Sequence, residues 1–473
     1  MKNLLSSKTL YSFLLAFLCT IALFAQDWEQ NFTHNTGWGR GFDVVETSDG
    51  GYVMVGDVDY PTGAIRHYIW LVKTDAAGNE LWSHVYNAGA IGVDTGRAIL
   101  EVAGGGFVIA GSGANDNNGQ GGMILRTDIN GDSLWSKVHA YNGIEQFHSI
   151  VKSNAGFIAV GDAIEIPNGN NQALWIVGLD ETGDSLWTKK YYTDLGSINT
   201  GMDIINAQDG NFLMAGTRND SMLVLKITED GEVLWSGTYG FAVGDAGISI
   251  AEQTNGDVLL GGYTTGFAWL SPVLLTLDEN GELVNSTAPG LEMPGVVSDI
   301  ALAPDGGYVI VGSIYDFWST NALDTNGYVI KYSSQGTIDW QLDLDATTSV
   351  HASGIKPTSD GGYIISGGNT TGMVLKKIGG GLDALKENNS QLPIADIYPN
   401  PATEKLIIEL PEDLLAQNLS FDIFDSEGHL VKRQKISEGT TVIATASLPF
   451  GFYETVLYSE REFLQAAKVV VAN

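Results

Sequence analysis

The fold is decided by the stretch Gly50-Gly51-Tyr52-Val53-Met54-Val55-Gly56, because close copies of it recur along the chain. A second copy runs from Gly105 to Gly111, and five more follow it. Each copy ends on a glycine, and the steps between these glycines lie between 46 and 55 residues: Gly56, Gly111, Gly161, Gly216, Gly262, Gly312 and Gly367. Self-similarity at such a period is typical of repeat architectures.

A second segment follows each of the first six copies. It consists of an apolar strand, a polar turn and then Leu-Trp, as in Asp75 to Trp82. The turn has a mechanism, because Asp accepts a hydrogen bond from the backbone two residues on and Gly supplies a positive φ. Each unit of about 50 residues therefore holds about four short antiparallel strands, and seven such units predict a β-propeller.

The tryptophans predict how the ring closes. The seventh unit stops at Ile378, before its own Trp strand, and the segment from Gln26 to Phe32 supplies the missing piece in register. A linear solenoid, the alternative, would leave both ends incomplete and unpaired. We therefore predict an all-β, seven-bladed propeller over 26–378, closed by the N-terminal strand, with one tryptophan wedged between neighbouring blades. These docking residues are Trp28, Trp82, Trp135, Trp187, Trp235 and Trp340, with Asn285 in the remaining position.

The N-terminus predicts export. Lys2 and Lys8 precede an apolar run from Leu10 to Ala25, which is typical of a signal peptide over 1–25. The only cysteine, Cys19, lies inside it, so the mature chain is expected to have neither disulfides nor thiolate zinc sites. Because the apolar run is removed with the signal peptide, we also expect no transmembrane segment in the mature chain. The net charge of −32 argues against nucleic acid as a partner.

The pattern changes near the C-terminus. Residues 379–391 are small, polar and aperiodic, which is typical of a linker. Residues 392–473 then contain six or seven short strand patterns, such as Leu406 to Leu410 and Lys468 to Val471. These strands predict a small Ig-like β-sandwich.

Both regions resemble known families. The Asp180 to Trp187 type of segment resembles the docking repeats of quinoprotein-like propellers, and the Asp305 to Gly312 type is similar to delta-60-like repeats of secreted bacterial proteins. The likeness implies the fold. Quinoprotein dehydrogenases usually have eight blades and a cysteine pair that caps the cofactor, so their redox cofactor is not expected here.

The C-terminal motifs resemble, in order, the type A sorting domain of the Bacteroidetes type IX secretion system. The matching residues are Tyr398, Pro399, Asn400 and Pro401, the segment 423–428, Gly451 and Tyr453, and Lys468. This resemblance implies handling by the type IX machinery and a final location that is secreted or on the outer cell surface. An ordinary accessory sandwich is the alternative.

One column of residues is the candidate binding site. Thirteen residues before the closing glycines lie Asp43, His148, Asp203 and Asp299, with Ala98, Ser249 and Gly354 in the other blades. These positions lie at the start of the innermost strands, and a ring of acids there would hold a cation or a polar ligand. Alternatively, these side chains bond the backbone of the next blade. We favour the second role. Arg97 and Trp38 lie beside this rim as weaker candidates.

No catalytic constellation emerges from the sequence. There is no His-Glu-x-x-His zinc motif, no Gly-x-Ser-x-Gly and no phosphate loop. We expect no catalytic or metal residues and no cofactor, with calcium at the rim left open. The favoured hypothesis is a non-catalytic binding or scaffold module for an unknown protein or glycan. The alternatives are an extracellular hydrolase or lyase with its site on the propeller face and, less favoured, a quinoprotein-like oxidoreductase.

Overall fold

The computed structural model is built from strands and turns. It describes residues 27–34, 38–59, 67–87, 94–114, 119–140, 143–165, 171–191, 198–240, 244–267, 269–287, 289, 295–315, 325–344, 350–369, 371–379, 395–399, 402–410, 419–425, 430–436, 438–449, 451–459 and 463–471. The predicted signal peptide, and all of the predicted linker except Gly379, lie outside these residues. None of the described residues forms a helix with the length and hydropathy needed to cross a bilayer.

The first blade is an antiparallel sheet in chain order. Its strands are β2 (Gly39–Glu46), β3 (Tyr52–Asp59), β4 (His67–Thr74) and β5 (Glu80–Tyr86), and a short strand, β1 (Trp28–Phe32), precedes them. Because the pairing is antiparallel, the first strand begins at the same end of the blade at which the second strand finishes. We call this end the entry face.

Five further blades repeat this order. Blade 2 has β6 (Thr95–Glu101), β7 (Phe107–Ala114), β8 (Gln120–Thr127) and β9 (Ser133–His139); blade 3 has β10 (Gly143–Lys152), β11 (Gly156–Glu165), β12 (Asn171–Asp180) and β13 (Ser185–Tyr191). Blade 4 has β14 (Asn199–Asn206), β15 (Phe212–Arg218), β16 (Ser221–Ile227) and β17 (Val233–Tyr239); blade 5 has β18 (Ala246–Glu252), β19 (Val258–Phe267), β20 (Trp269–Leu277) and β21 (Leu283–Thr287). Blade 6 has β22 (Gly295–Leu302), β23 (Tyr308–Tyr315), β24 (Thr325–Tyr332) and β25 (Ile338–Leu344).

The seventh blade contains strands from both ends of the propeller region. Its inner strands are β26 (His351–Pro357), β27 (Tyr363–Gly368) and β28 (Met373–Ile378), and its outer strand is β1. Trp28 pairs with Lys377 and Phe32 with Met373, in antiparallel register. The structure thus has the N-terminal strand where the sequence analysis placed it.

The innermost strands contact one another in a closed cycle. β2 contacts β6, and the contacts continue through β10, β14, β18 and β22 to β26, which contacts β2 again. The apolar cores lie between adjacent blades: Val53 and Ile69 of blade 1 pack with Phe107 and Ile109 of blade 2. Phe32 of β1 joins the core shared by blades 7 and 1. The described strands therefore form a propeller of seven four-stranded blades.

A buried lysine packs against the turn that contains the paired glycines of the repeat. Lys73 on the third strand donates hydrogen bonds to Thr47 Oγ1 (3.0 Å), Asp49 Oδ1 (2.9 Å) and Thr74 O (2.9 Å), which fixes the turn between the first two strands. A Cβ on Gly51 would lie 2.2 Å from Thr74 O and 2.4 Å from Lys73 Nζ, so only glycine fits against this backbone. Lys331 and Lys377 occupy the same place in blades 6 and 7.

The C-terminal region forms two small sheets. A three-stranded sheet contains β29 (Asp396–Tyr398), β30 (Lys405–Glu409) and β33 (Thr440–Ala444). A four-stranded sheet contains β31 (Leu419–Phe424), β32 (Leu430–Ile436), β34 (Gly451–Ser459) and β35 (Phe463–Val471). Side chains from both sheets share one core, so the region is a β-sandwich.

Candidate functional site

Each innermost strand carries a β-bulge at the same place, and the bulge sets the candidate column. The register shifts between Gly41 and Asp43 in blade 1, and the residue after each bulge pairs with the residue before the closing glycine. Read from the pairing, the column is Asp43, Ala98, Ser149, Asp203, Ser249, Asp299 and Gly354.

The prediction of His148 for this column is wrong by one residue. In blade 3 the bulge lies between Phe147 and Ser149, so Ser149 takes the column position and His148 is the bulged residue. The physical reason is a shorter turn. In blade 1 the Thr47 amide donates to Gly51 O, four residues on, whereas the Ser153 amide of blade 3 donates to Gly156 O, three residues on. Counting back thirteen residues therefore overshoots in this blade.

The aspartates of the column bond the neighbouring blade. The Asp43 carboxylate accepts the Val44 amide of its own strand (2.9 Å) and the Ile99 amide of blade 2 (3.0 Å). Asp203 accepts the Ile250 amide of blade 5 (3.1 Å), and Asp299 accepts the Ile355 amide of blade 7 (2.8 Å). A carboxylate that receives amide hydrogen bonds from two blades holds their inner strands together.

A lysine and two serines complete this network. Lys356 Nζ lies 3.3 Å from Asp299 Oδ2 and 3.6 Å from Asp43 Oδ1. Ser149 Oγ donates to Asp203 (3.0 Å), and Ser249 Oγ donates to Asp299 (2.8 Å). Sequence reasoning missed Lys356, although it follows the column residue Gly354 by two positions and so projects to the same side of the strand.

The electrostatics of the column follow from its enclosure. Burial raises the pKa of Asp43 and of Asp203, because the charged carboxylates lose solvation. The Lys356 side chain is 43% exposed; partial loss of solvation acts against its charge, but the carboxylates of Asp299, Asp43 and Asp203 outweigh this and raise the lysine's pKa. The ammonium thus provides the positive charge that a bound cation would bring. Among the described residues, no group of three or more His, Cys, Asp or Glu side chains is arranged to hold a metal ion.

A second polar cluster lies at the entry face of blades 1 to 3. Asp162 Oδ1 accepts hydrogen bonds from Gln146 Nε2 (3.0 Å) and His148 Nε2 (2.7 Å). The Arg97 guanidinium lies 4.3 Å from the centroid of the Phe42 ring. Burial lowers the pKa of Arg97, and the charges of Asp57 and Asp162 partly offset this effect. Sequence reasoning noticed Arg97 but missed Asp162, because the two residues meet only when blades 2 and 3 pack together.

The tryptophans of the outer strands contact the next blade. The Trp28 ring lies against Gly78 of blade 1, where an added Cβ would be 2.6 Å away, and 5.8 Å from the Tyr52 ring. Trp82, Trp135, Trp187 and Trp235 contact the equivalent turn glycines Gly131, Gly183, Gly231 and Gly281. Trp340 approaches the Tyr363 ring edge-on at 6.5 Å. These wedges are half-buried rather than fully buried, because they sit on the outer strands.

The C-terminal motifs lie close together in the sandwich. Tyr398 donates its hydroxyl to Glu409 (2.6 Å), and buried Tyr453 donates to Pro449 O (2.7 Å). Gly451 opens β34, whose residue Glu454 pairs with Lys468 of β35. Asn400 and Pro401 of the first motif lie outside the described residues, and Ala402, directly after them, donates its amide to Val470 O (2.7 Å). The first and last motifs thus meet at one edge of the domain.

The family comparison agrees with this arrangement. A family model described as a secretion system C-terminal sorting domain matches residues 396–472. These residues are a type IX C-terminal sorting domain. The sorting domain marks the protein for export to the cell exterior or the outer cell surface. No curated protein matches the chain.

Solved structures similar to the chain include several propellers. PorZ of Porphyromonas gingivalis, a surface component of the type IX system, is 11% identical, with a TM-score of 0.43, over 91% of this chain; the chain spans 59% of the length of PorZ. A virginiamycin B lyase from Staphylococcus aureus is 11% identical, with a TM-score of 0.46, over 75% of this chain and 100% of the lyase. The Pan2 WD40 domain of Neurospora crassa is 10% identical, with a TM-score of 0.45, over 78% of this chain and 98% of that domain. The fold assignment itself rests on the strand pairing.

Proposed function

We propose that the protein is an exported propeller that acts as a non-catalytic binding or scaffold module. In this proposal a signal peptide over 1–25 starts export, the sorting domain directs passage through the outer membrane, and the propeller over 26–378 carries the ligand site. The ligand is a protein or a glycan outside the cell.

The bonding of the central acids supports this proposal. Asp43, Asp203 and Asp299 lie on innermost strands, and each uses its carboxylate to hold an amide of the following blade. Lys356 adds a positive charge between two of them. Carboxylates engaged in this way stiffen the ring, and a stiff ring presents its face with little conformational change on binding.

A paired binding and turnover assay tests the proposal. Purified chain is titrated onto immobilised polysaccharides and extracellular proteins, while the solution is assayed for reducing ends and for unsaturated products. We expect saturable binding with no accumulation of product. Product formation proportional to protein concentration would favour the alternative, an extracellular hydrolase or lyase.

A further inference from the structure

The entry-face cluster contains a buried carboxylate oxygen that no described residue satisfies. The Asp162 side chain is only 2% exposed. Its Oδ1 accepts two hydrogen bonds, from Gln146 and His148, whereas its Oδ2 has no hydrogen-bond partner among the described residues. A buried acceptor without a donor is unfavourable, and more so when it carries charge. This oxygen is therefore a place where a donor group from outside the chain would be stabilised.

The same cluster contains an unsatisfied donor. Arg97 Nε is buried and has no acceptor within the described part of the chain, and the guanidinium is held by its contact with the Phe42 ring. Arg40 on the neighbouring blade differs, because it makes two hydrogen bonds to Asp57, at 2.9 Å and 3.3 Å. Arg40 of the entry face is thus held in an ion pair, whereas Arg97 Nε has no acceptor among the described residues.

The charges of Arg97 and Asp162 favour each other, but the two side chains do not form an ion pair. A ligand group between them would need to accept a hydrogen bond from an arginine and donate one to a carboxylate. A hydroxyl group does both. The cluster holds two arginines and the carboxylates of Asp57, Asp59 and Asp162, so it has no excess positive charge to attract an anionic ligand. The cluster is therefore suited to a neutral, hydroxyl-bearing molecule.

An exposed tryptophan adds an apolar surface at the same end of blade 1. Trp38 is 49% exposed and immediately precedes β2, two residues before Arg40. Its carbonyl accepts the Asp59 amide at 2.8 Å, which fixes the backbone of this segment at the entry face. Small-molecule sites usually combine an aromatic or apolar surface with a small number of polar groups.

We propose that the entry face binds a neutral saccharide, with one hydroxyl between Arg97 and Asp162 and a sugar ring against Trp38. This inference rests on the proposed binding function and names its ligand class and its site. In this proposal the column aspartates, Asp43, Asp203 and Asp299, connect neighbouring blades and do not bind the ligand. His148 positions the Asp162 carboxylate through its hydrogen bond.

Titration of the full chain with neutral oligosaccharides tests the inference. The probes are gluco-, manno-, xylo- and chito-oligosaccharides, followed by calorimetry and by intrinsic tryptophan fluorescence. Arg97→Ala and Asp162→Asn are each expected to weaken binding by about tenfold or more, because the first removes a charged donor and the second replaces the charged acceptor oxygen with a neutral amide. Arg126→Ala is the matched control, since Arg126 lies in the same blade at the opposite end and bonds backbone carbonyl oxygens.

Trp38→Ala keeps the inference falsifiable if Asp162→Asn fails to fold, because Trp38 is about half exposed and its replacement disturbs the fold less than a change at a fully buried residue. This variant is expected to weaken binding severalfold and to abolish the fluorescence change. Equal binding by wild type and all three variants would overturn the inference while leaving a binding function elsewhere. Preference for acidic over neutral saccharides would overturn the ligand class. Saturable binding of an extracellular protein, with no saccharide bound, would also reject the inference but not the proposed function.

Discussion

Replacement of Trp28 by alanine should weaken the closure of the ring. Trp28 belongs to a strand that pairs with blade 7, yet its ring packs on Gly78 and Tyr52 of blade 1. It therefore links the last blade to the first. The other contacts of this segment include the backbone ladder with β28, an ion pair between Glu29 and Lys376 (2.7 Å) and the burial of Phe32.

The size of the effect follows from the burial of the tryptophan. Loss of a fully buried Trp costs about 3–5 kcal/mol, and a half-buried wedge about 2 kcal/mol. With an unfolding entropy of about 2.1 cal/mol/K per residue, a propeller of about 350 residues loses roughly 3 °C in melting temperature. Leu81→Ala, at a side chain that is 58% exposed, is the surface control and should leave the melting temperature within about 1 °C.

Calorimetry gives the melting temperature, and hydrogen exchange shows where the ring opens. Trp28→Ala should increase exchange at the amides of β1 and β28, whereas Trp82→Ala, the same wedge between blades 1 and 2, should leave blade 7 protected. A Trp28→Ala protein that melts like wild type and keeps its protection in β28 would refute closure by this strand.

Three further outcomes are expected. Burial alone would raise the pKa of Asp49, but hydrogen bonds from Thr47, Lys73 and the Gly51 amide outweigh it and lower that pKa to about 2. The stabilisation by charged Asp49 is then complete above the pKa of an aspartate in the unfolded chain, about 4, and is lost as the pH falls towards 2. Lys73→Met should therefore flatten a plot of melting temperature against pH between these two values. Lys356→Met should lower the melting temperature at pH 7, because it leaves the column carboxylates without their counter-charge. Acidification should restore part of the lost melting temperature, since Asp43 and Asp203 have raised pKa values and take up protons readily. Lys356→Arg, which keeps the positive charge, should behave like wild type. Deletion of 396–472 should abolish the appearance of the protein outside the cell, measured by surface labelling, while the propeller stays folded; continued export would contradict the role of the sorting domain.

The repeat made the propeller predictable from sequence. The closing glycines mark one strand per unit, and the tryptophan register places Trp28 in the seventh blade without any knowledge of contacts. The sorting domain was predictable for a similar reason, because its motifs occur in a fixed order. In both cases the information lies in spacing along the chain, which the sequence displays directly.

The details of the site were harder to predict, because they depend on turn lengths and on contacts between blades. A turn shortened by one residue moved Ser149 into the place predicted for His148. Lys356 lies two residues beyond the counted column, so a search for acids alone overlooked it. Arg97 and Asp162 are 65 positions apart in the chain, and their proximity follows from blade packing that no periodicity encodes.

A designed cysteine pair tests the central claim, that the N-terminal strand completes the seventh blade. Glu29 and Lys376 lie directly opposite each other on β1 and β28, and opposed residues of antiparallel strands have the Cα separation that a disulfide needs. In a Cys19→Ser background, which removes the only native cysteine, Glu29→Cys with Lys376→Cys should oxidise to an intramolecular disulfide. Non-reducing electrophoresis would detect it as a faster-migrating band, and the mismatched pair Glu29→Cys with Lys189→Cys should remain reduced. If the protein carrying Glu29→Cys and Lys376→Cys stays reduced under conditions in which it is folded, that result would contradict the closed ring.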